Sequence, residues 1–150
     1  MGESKVYFTS FKTTEHENLI QKLHRLMKQA GFENIDFNEK YAAIKIHFGE
    51  YGNLAFLRPN YAKAVADLCK AQGGVPFLTD CNTLYPGSRK NALEHLDCAN
   101  LNGFNTITTG CQILIGDGLR GTDEVEVPVP NAEYCPAPKI GRAIMDADIF

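Results

Sequence analysis

Three short runs gather most of the residues able to do chemistry. The first is His47-Phe48-Gly49-Glu50-Tyr51-Gly52-Asn53, which leads to Arg58-Pro59-Asn60. The second is Asp80-Cys81-Asn82-Thr83-Leu84-Tyr85-Pro86-Gly87-Ser88-Arg89, and the third is Gly116-Asp117-Gly118-Leu119-Arg120-Gly121-Thr122. Each mixes glycine with ionisable or amide side chains. Glycine lets a backbone turn tightly or approach a ligand closely, and the polar groups supply charge and hydrogen bonds.

In the first run the imidazole of His47 could ligate a divalent metal or carry a proton near neutral pH, with Glu50 or Asp80 as its carboxylate partner. A metal held by His47 and Asp80 is one expectation; a histidine that only hydrogen-bonds the loop backbone is the other. Lys45, two residues earlier, is on the same strand face and could hold an anion. In the second run Asp80, Asn82 and Thr83 could bind a cation, a ribose hydroxyl or a water, although Asx residues serve equally as turn devices. Gly87-Ser88-Arg89 has the outline of an anion site: if Ser88 caps a helix, backbone N–H groups and the helix dipole favour a phosphate, which Arg89 can clamp. There is no GxxxxGK[ST] run. In the third run Gly116-x-Gly118-x-x-Gly121 matches GxGxxG literally. It leads into Thr122-Asp123-Glu124-Val125-Glu126-Val127-Pro128, which reads as a strand, whereas a dinucleotide fingerprint opens a helix. Asp117 stays a candidate for a cation or a ligand hydroxyl. No catalytic residue is assigned.

The elements that must position these runs alternate along the chain. Val6-Tyr7-Phe8 is β-prone. Thr14 and Glu17 read as a capping box for a helix with Leu19, Leu23, Leu26 and Ala30 on one face and Gly31 as its stop. A strand over 41–48 follows, its second half placing Lys45 and His47 opposite Ile44, Ile46 and Phe48. Pro59 suits a first helical turn, and Ala62, Val65, Ala66 and Cys69 recur at helical spacing before Gly73-Gly74. Residues 75–79 read as a buried strand with Pro76 near its start. Ser88 is expected to cap a helix bearing Ala92, Leu93, Leu96 and Ala99, with a stop near Gly103. Residues 112–115 and 125–127 read as strands, and Ile140, Ala143 and Ile144 as one or two helical turns. The β-α-β-α-β order predicts an α/β fold: a mostly parallel sheet flanked by helices, a Rossmann-like layered sandwich in one domain over 1–150. Ligands of such sheets bind beyond the carboxyl ends of the strands, where all three runs should open. Ala147-Asp148-Ile149-Phe150 reads as the opening of a further strand, as in the front part of a longer protein.

The composition sets outer bounds. With 150 residues, 44% hydrophobic, 22% charged and a formal net charge of −3, the chain is of ordinary globular make-up. It lacks the basic stripe of a nucleic-acid binder, and no apolar run approaches the ~20 residues of a membrane span. Met1-Gly2-Glu3-Ser4-Lys5 has no secretory h-region, so a cytoplasmic location is expected. The cysteines at 69, 81, 98, 111 and 135 include no CxxC or CxH pair. Clustered thiolates are what a structural zinc or an iron–sulfur centre requires, so these read as reduced thiols. Cys69 and Cys98 are expected as small apolar residues on helix faces.

Several ordered runs carry a family resemblance. Ile44-Lys45-Ile46-His47-Phe48-Gly49-Glu50, Arg58-Pro59, Phe77-Leu78-Thr79-Asp80, Asn82-Thr83-Leu84-Tyr85-Pro86-Gly87-Ser88-Arg89, Asp117-Gly118-Leu119-Arg120-Gly121-Thr122-Asp123 and Lys139-Ile140-Gly141-Arg142-Ala143-Ile144 resemble the family known as domain of unknown function 362. The resemblance spans roughly residues 40 to 150. It implies an iron–sulfur-associated, redox-linked protein, because many members carry a ferredoxin-like segment with clustered cysteines toward the C-terminus. The cluster is therefore expected in that segment of the full-length protein and not within this chain, with the segment as partner. The leading expectation is an N-terminal α/β portion with a ligand or metal site at its strand ends: metal at His47 and Asp80, ligand at Lys45, Asn82, Ser88, Arg89 and Asp117. The alternative is a non-catalytic binding domain for a phosphorylated small molecule or nucleotide.

Overall fold

Apolar runs of strand length need a sheet to bury them, and those at 41–45, 75–80 and 112–115 bury one another. The computed structural model describes residues 4–150; Met1, Gly2 and Glu3, part of the stretch read for a leader, lie outside the described residues. Strands β1 (Tyr41–Lys45), β2 (Val75–Asp80) and β3 (Gln112–Ile115) form a parallel sheet in the order β1-β2-β3. Parallel neighbours need crossovers. Helix α2 (Pro59–Ala71) makes the first, and α3 (Ala92–Leu101) with the short α4 (Thr106–Thr109) makes the second. Helix α1 (Leu19–Gln29) precedes the sheet and packs on α2. The α/β class read from the sequence is the class observed.

Register explains the core. Ile44, Leu78 and Ile113 are directly paired across the three strands, so their side chains share one face. They join Phe48, Ala62 and Ala66 of α2, Ala99 of α3, Phe104 and Cys111 in one apolar cluster. Small residues on the helices let the backbones approach the sheet. Cys69 of α2 and Cys98 of α3 are buried, as expected, Cys69 in a second, smaller cluster with Phe37 and Ala42.

Four local readings need correction. Val6, Tyr7 and Phe8 form no strand and are exposed; the place beside β1 is taken by Ile149, in a parallel bridge with Ala42. The Thr14–Glu17 box is a turn, with the Glu17 N–H donating to Thr14 Oγ1 at 3.0 Å. Helix α1 begins at Leu19, where Asn18 and Gln21 make a reciprocal capping box directly before the apolar run. Ser88 caps nothing: α3 starts at Ala92 under Asn91, whose side chain accepts from the Glu94 N–H at 3.0 Å. Finally, Ile140 belongs to a strand. Lys139–Gly141 (β5) pairs antiparallel with Glu124–Glu126 (β4), and only Arg142–Met145 (α5) is helical. Gly141 permits this, since a Cβ there would lie 2.6 Å from the Gly116 carbonyl oxygen.

Candidate functional site

Asp80 ends the central strand, and its buried carboxylate organises the sheet's carboxyl edge. A buried charge needs partners. Lys45 Nζ lies 3.1 Å from Oδ1 and Arg89 Nη1 lies 3.2 Å from Oδ2, while the Cys81 N–H donates to Oδ1 at 3.0 Å. Arg89 is itself buried. Its Nε reaches Glu50 Oε2 at 3.3 Å and its Nη2 donates to the Tyr85 hydroxyl at 2.7 Å. One guanidinium thus ties the loop after β1 to the end of β2 and to the loop beyond it. Glu50 closes the arrangement by accepting from the Ser88 N–H at 3.3 Å.

A second pair stands beside this cluster. Asp117, just past β3, accepts from the Asn82 N–H with both oxygens at 3.0 Å and from Asn82 Nδ2 at 2.8 Å. Burial pushes the Asp117 carboxyl above the ordinary carboxylate range, against the opposing pull of those Asn82 hydrogen bonds. Asn82 Nδ2 also donates to the Gly118 carbonyl at 2.8 Å. Gly121 folds over the pair at φ +72°, and a Cβ there would sit 3.2 Å from Asp117 Oδ2. Between these loops opens a cleft of about 510 Å³ lined by Asn82, Tyr85, Lys90, Asp117, Arg120 and Glu124, among others. Lys90 pairs with Glu94 and Glu124 with Lys139. Arg120 has no carboxylate within 4 Å among the described residues.

The structure therefore brings Lys45, Asp80 and Arg89 into one cluster and Asn82 and Asp117 into another. Ser88 lies behind Glu50, its hydroxyl 3.6 Å from Cys98 Sγ and away from any helix start. His47 is exposed on the face shared with Lys45, and its Nδ1 accepts from the Gly49 N–H at 2.9 Å. Among the described residues no three His, Cys, Asp or Glu side chains are grouped to hold a metal ion.

Sequence reasoning missed His95 and Arg120. His95, to which the sequence assigns no role, is fully buried, 3.8 Å from Asp80 Oδ2 and edge-on to Phe48. The Asn91-x-x-Glu94 cap marks where α3 starts, but it does not show which face of the helix turns inward. In the loop of Arg120 the sequence points to the GxGxxG match and to Asp117, and gives Arg120 no role of its own.

Fold and site together define an α/β domain with a polar cleft beyond the carboxyl ends of a parallel sheet. The chain belongs to the family described as "Domain of unknown function (DUF362)", which matches residues 42–150. No curated protein and no solved structure matches it. Among the described residues no helix is long and apolar enough to cross a membrane.

Proposed function

We propose that this domain binds a small phosphorylated molecule in the cleft between the loops after β2 and β3. The observation that carries the reading is Arg120, a cation in the cleft wall without a carboxylate partner among the described residues, with Lys90 in the same lining. Guanidinium groups bind phosphate through paired hydrogen bonds, and the carboxyl edge of a parallel sheet is where such ligands enter. The anion site moves accordingly. Arg89, the clamp expected from the sequence, is occupied by Asp80, Glu50 and Tyr85, whereas Arg120 is open. Asp80 is likewise engaged by Lys45 and Arg89, so a metal at His47 and Asp80 does not enter this reading. Titration with inorganic phosphate, followed by calorimetry, should show saturable binding that weakens at least tenfold in Arg120→Ala. An unchanged affinity in that variant would overturn the proposal.

We infer a second feature from the cysteines: that any iron–sulfur centre of the full-length protein is held by a separate, ferredoxin-like segment. Cluster ligation needs thiolates brought close together, and among the described residues no three His, Cys, Asp or Glu side chains are grouped to hold a metal ion. Purified without oxygen, this chain should be colourless, without stoichiometric iron or sulfide. Stoichiometric amounts of both would refute the inference.

A further inference from the structure

We propose that the ligand of the cleft is a hydroxylated phosphate ester, of the sugar-phosphate or polyol-phosphate class, whose hydroxyl is received by Asn82. This rests on the cleft reading above and extends it. The orientation of the Asn82 amide is fixed by its surroundings. Its Nδ2 donates to two oxygens, Asp117 Oδ1 and the Gly118 carbonyl, and a flipped amide would set oxygen against oxygen at both. The Oδ1 is therefore an acceptor, and it is buried without a hydrogen-bond partner among the described residues. Buried acceptors in folded proteins almost always have a donor, so this one is built for a donor that arrives from elsewhere. Asn82 lines the cleft.

The charges of the lining agree. Lys90 and Arg120 offer positive charge, while Asp117 and Glu124 add carboxylates to the same cleft. A bare phosphate gains from the first pair and is repelled by the second. A molecule with an anion at one end and O–H donors at the other satisfies both. Asn82 Oδ1 is shut from solvent, so receiving the hydroxyl requires the loop that carries Asn82 to shift when the ligand binds.

Calorimetric titration with three probes tests this: inorganic phosphate, n-propyl phosphate and glycerol 3-phosphate. All three should bind, with glycerol 3-phosphate about three- to tenfold tighter than the propyl ester, the range one added hydrogen bond supplies. Asn82→Ala, checked for folding by circular dichroism, should bring the two esters to equal affinity. If that variant does not fold, the wild-type series decides alone. Equal affinity of the two esters for the wild-type chain, or a folded Asn82→Ala that still distinguishes them, overturns the hydroxyl assignment and leaves the cleft reading in place. Failure of all three probes to bind overturns both.

Discussion

An imidazole taken out of water without a hydrogen-bond partner is expensive to protonate, and His95 is in that position. Neither ring nitrogen has a hydrogen-bond partner among the described residues, Phe48 lies edge-on at 5.6 Å between ring centroids, and no part of the residue is exposed. Burial pushes its pKa from 6.5 down to about 4; Asp80 and Glu50 pull it up, while Arg89 and His47 push it further down. The unfolded chain therefore binds a proton between pH 6.5 and 4 that the folded chain refuses. The stability tied to the uncharged ring is complete above pH 6.5 and falls by about 3 kcal/mol as pH drops through 4. Denaturant unfolding from pH 7 to 4 should show that slope, and His95→Phe, which keeps the ring and Phe48 contact, should flatten it. An identical slope in the variant would assign the loss to other groups. This burial was hidden in the sequence because the inward face of α3 is made of His95, Cys98 and Ala99, small or polar residues that leave no apolar stripe, while Leu93 is 66% exposed.

Elements were legible where several residues agreed and illegible where one distant contact decided. The strands at 75–80 and 112–115 and the helix at 59–71 were plain because apolar runs, a first-turn proline and glycine stops coincide. The antiparallel pairing of β4 with β5 was not, since it joins two three-residue strands and depends on Gly141 meeting the Gly116 carbonyl. The start of α3 is the instructive error. Ser88 and Asn91 are both good caps, but the backbone from Thr83 to Arg89 is already closed by the Thr83 N–H donating to the Arg89 carbonyl at 2.9 Å, which delays the helix to Asn91. Asn91→Ala should therefore cost about 1 kcal/mol in denaturant unfolding. Ser88→Ala, which loses only a 3.6 Å contact to a thiol, should stay within about 0.5 kcal/mol of the parent. The reverse order of effects would restore Ser88 as the cap, and with it the anion site at a helix start.

At the scale of the whole molecule the sheet is sealed by residues more than a hundred positions apart. The Tyr41 N–H donates to Asp148 Oδ2 at 2.9 Å, the Ala43 N–H donates to the Ile149 carbonyl at 2.8 Å, and the Asp148 and Ile149 N–H groups donate to the Tyr41 carbonyl at 3.0 and 3.1 Å. Ile149 packs against the small cluster of Phe37, Ala42 and Cys69. The sequence showed a strand opening over 147–150 but not its neighbour, because strand pairing over such a separation leaves no local pattern. These contacts cover the outer edge of β1, and an uncovered parallel edge offers its N–H and C=O groups to another chain. Deleting residues 147–150 should remove about 3 kcal/mol of stability, combining several backbone hydrogen bonds with the burial of one isoleucine. It should also shift sedimentation toward self-associated species as β1 seeks a new partner. Asp148→Ala, which removes one acceptor and keeps the bridge, should cost about 1 kcal/mol and leave the chain at its parent size. If the truncated chain unfolds at the parent's denaturant midpoint, the edge is not held by Ile149, and the place beside β1 is open to another strand, Val6-Tyr7-Phe8 among the candidates.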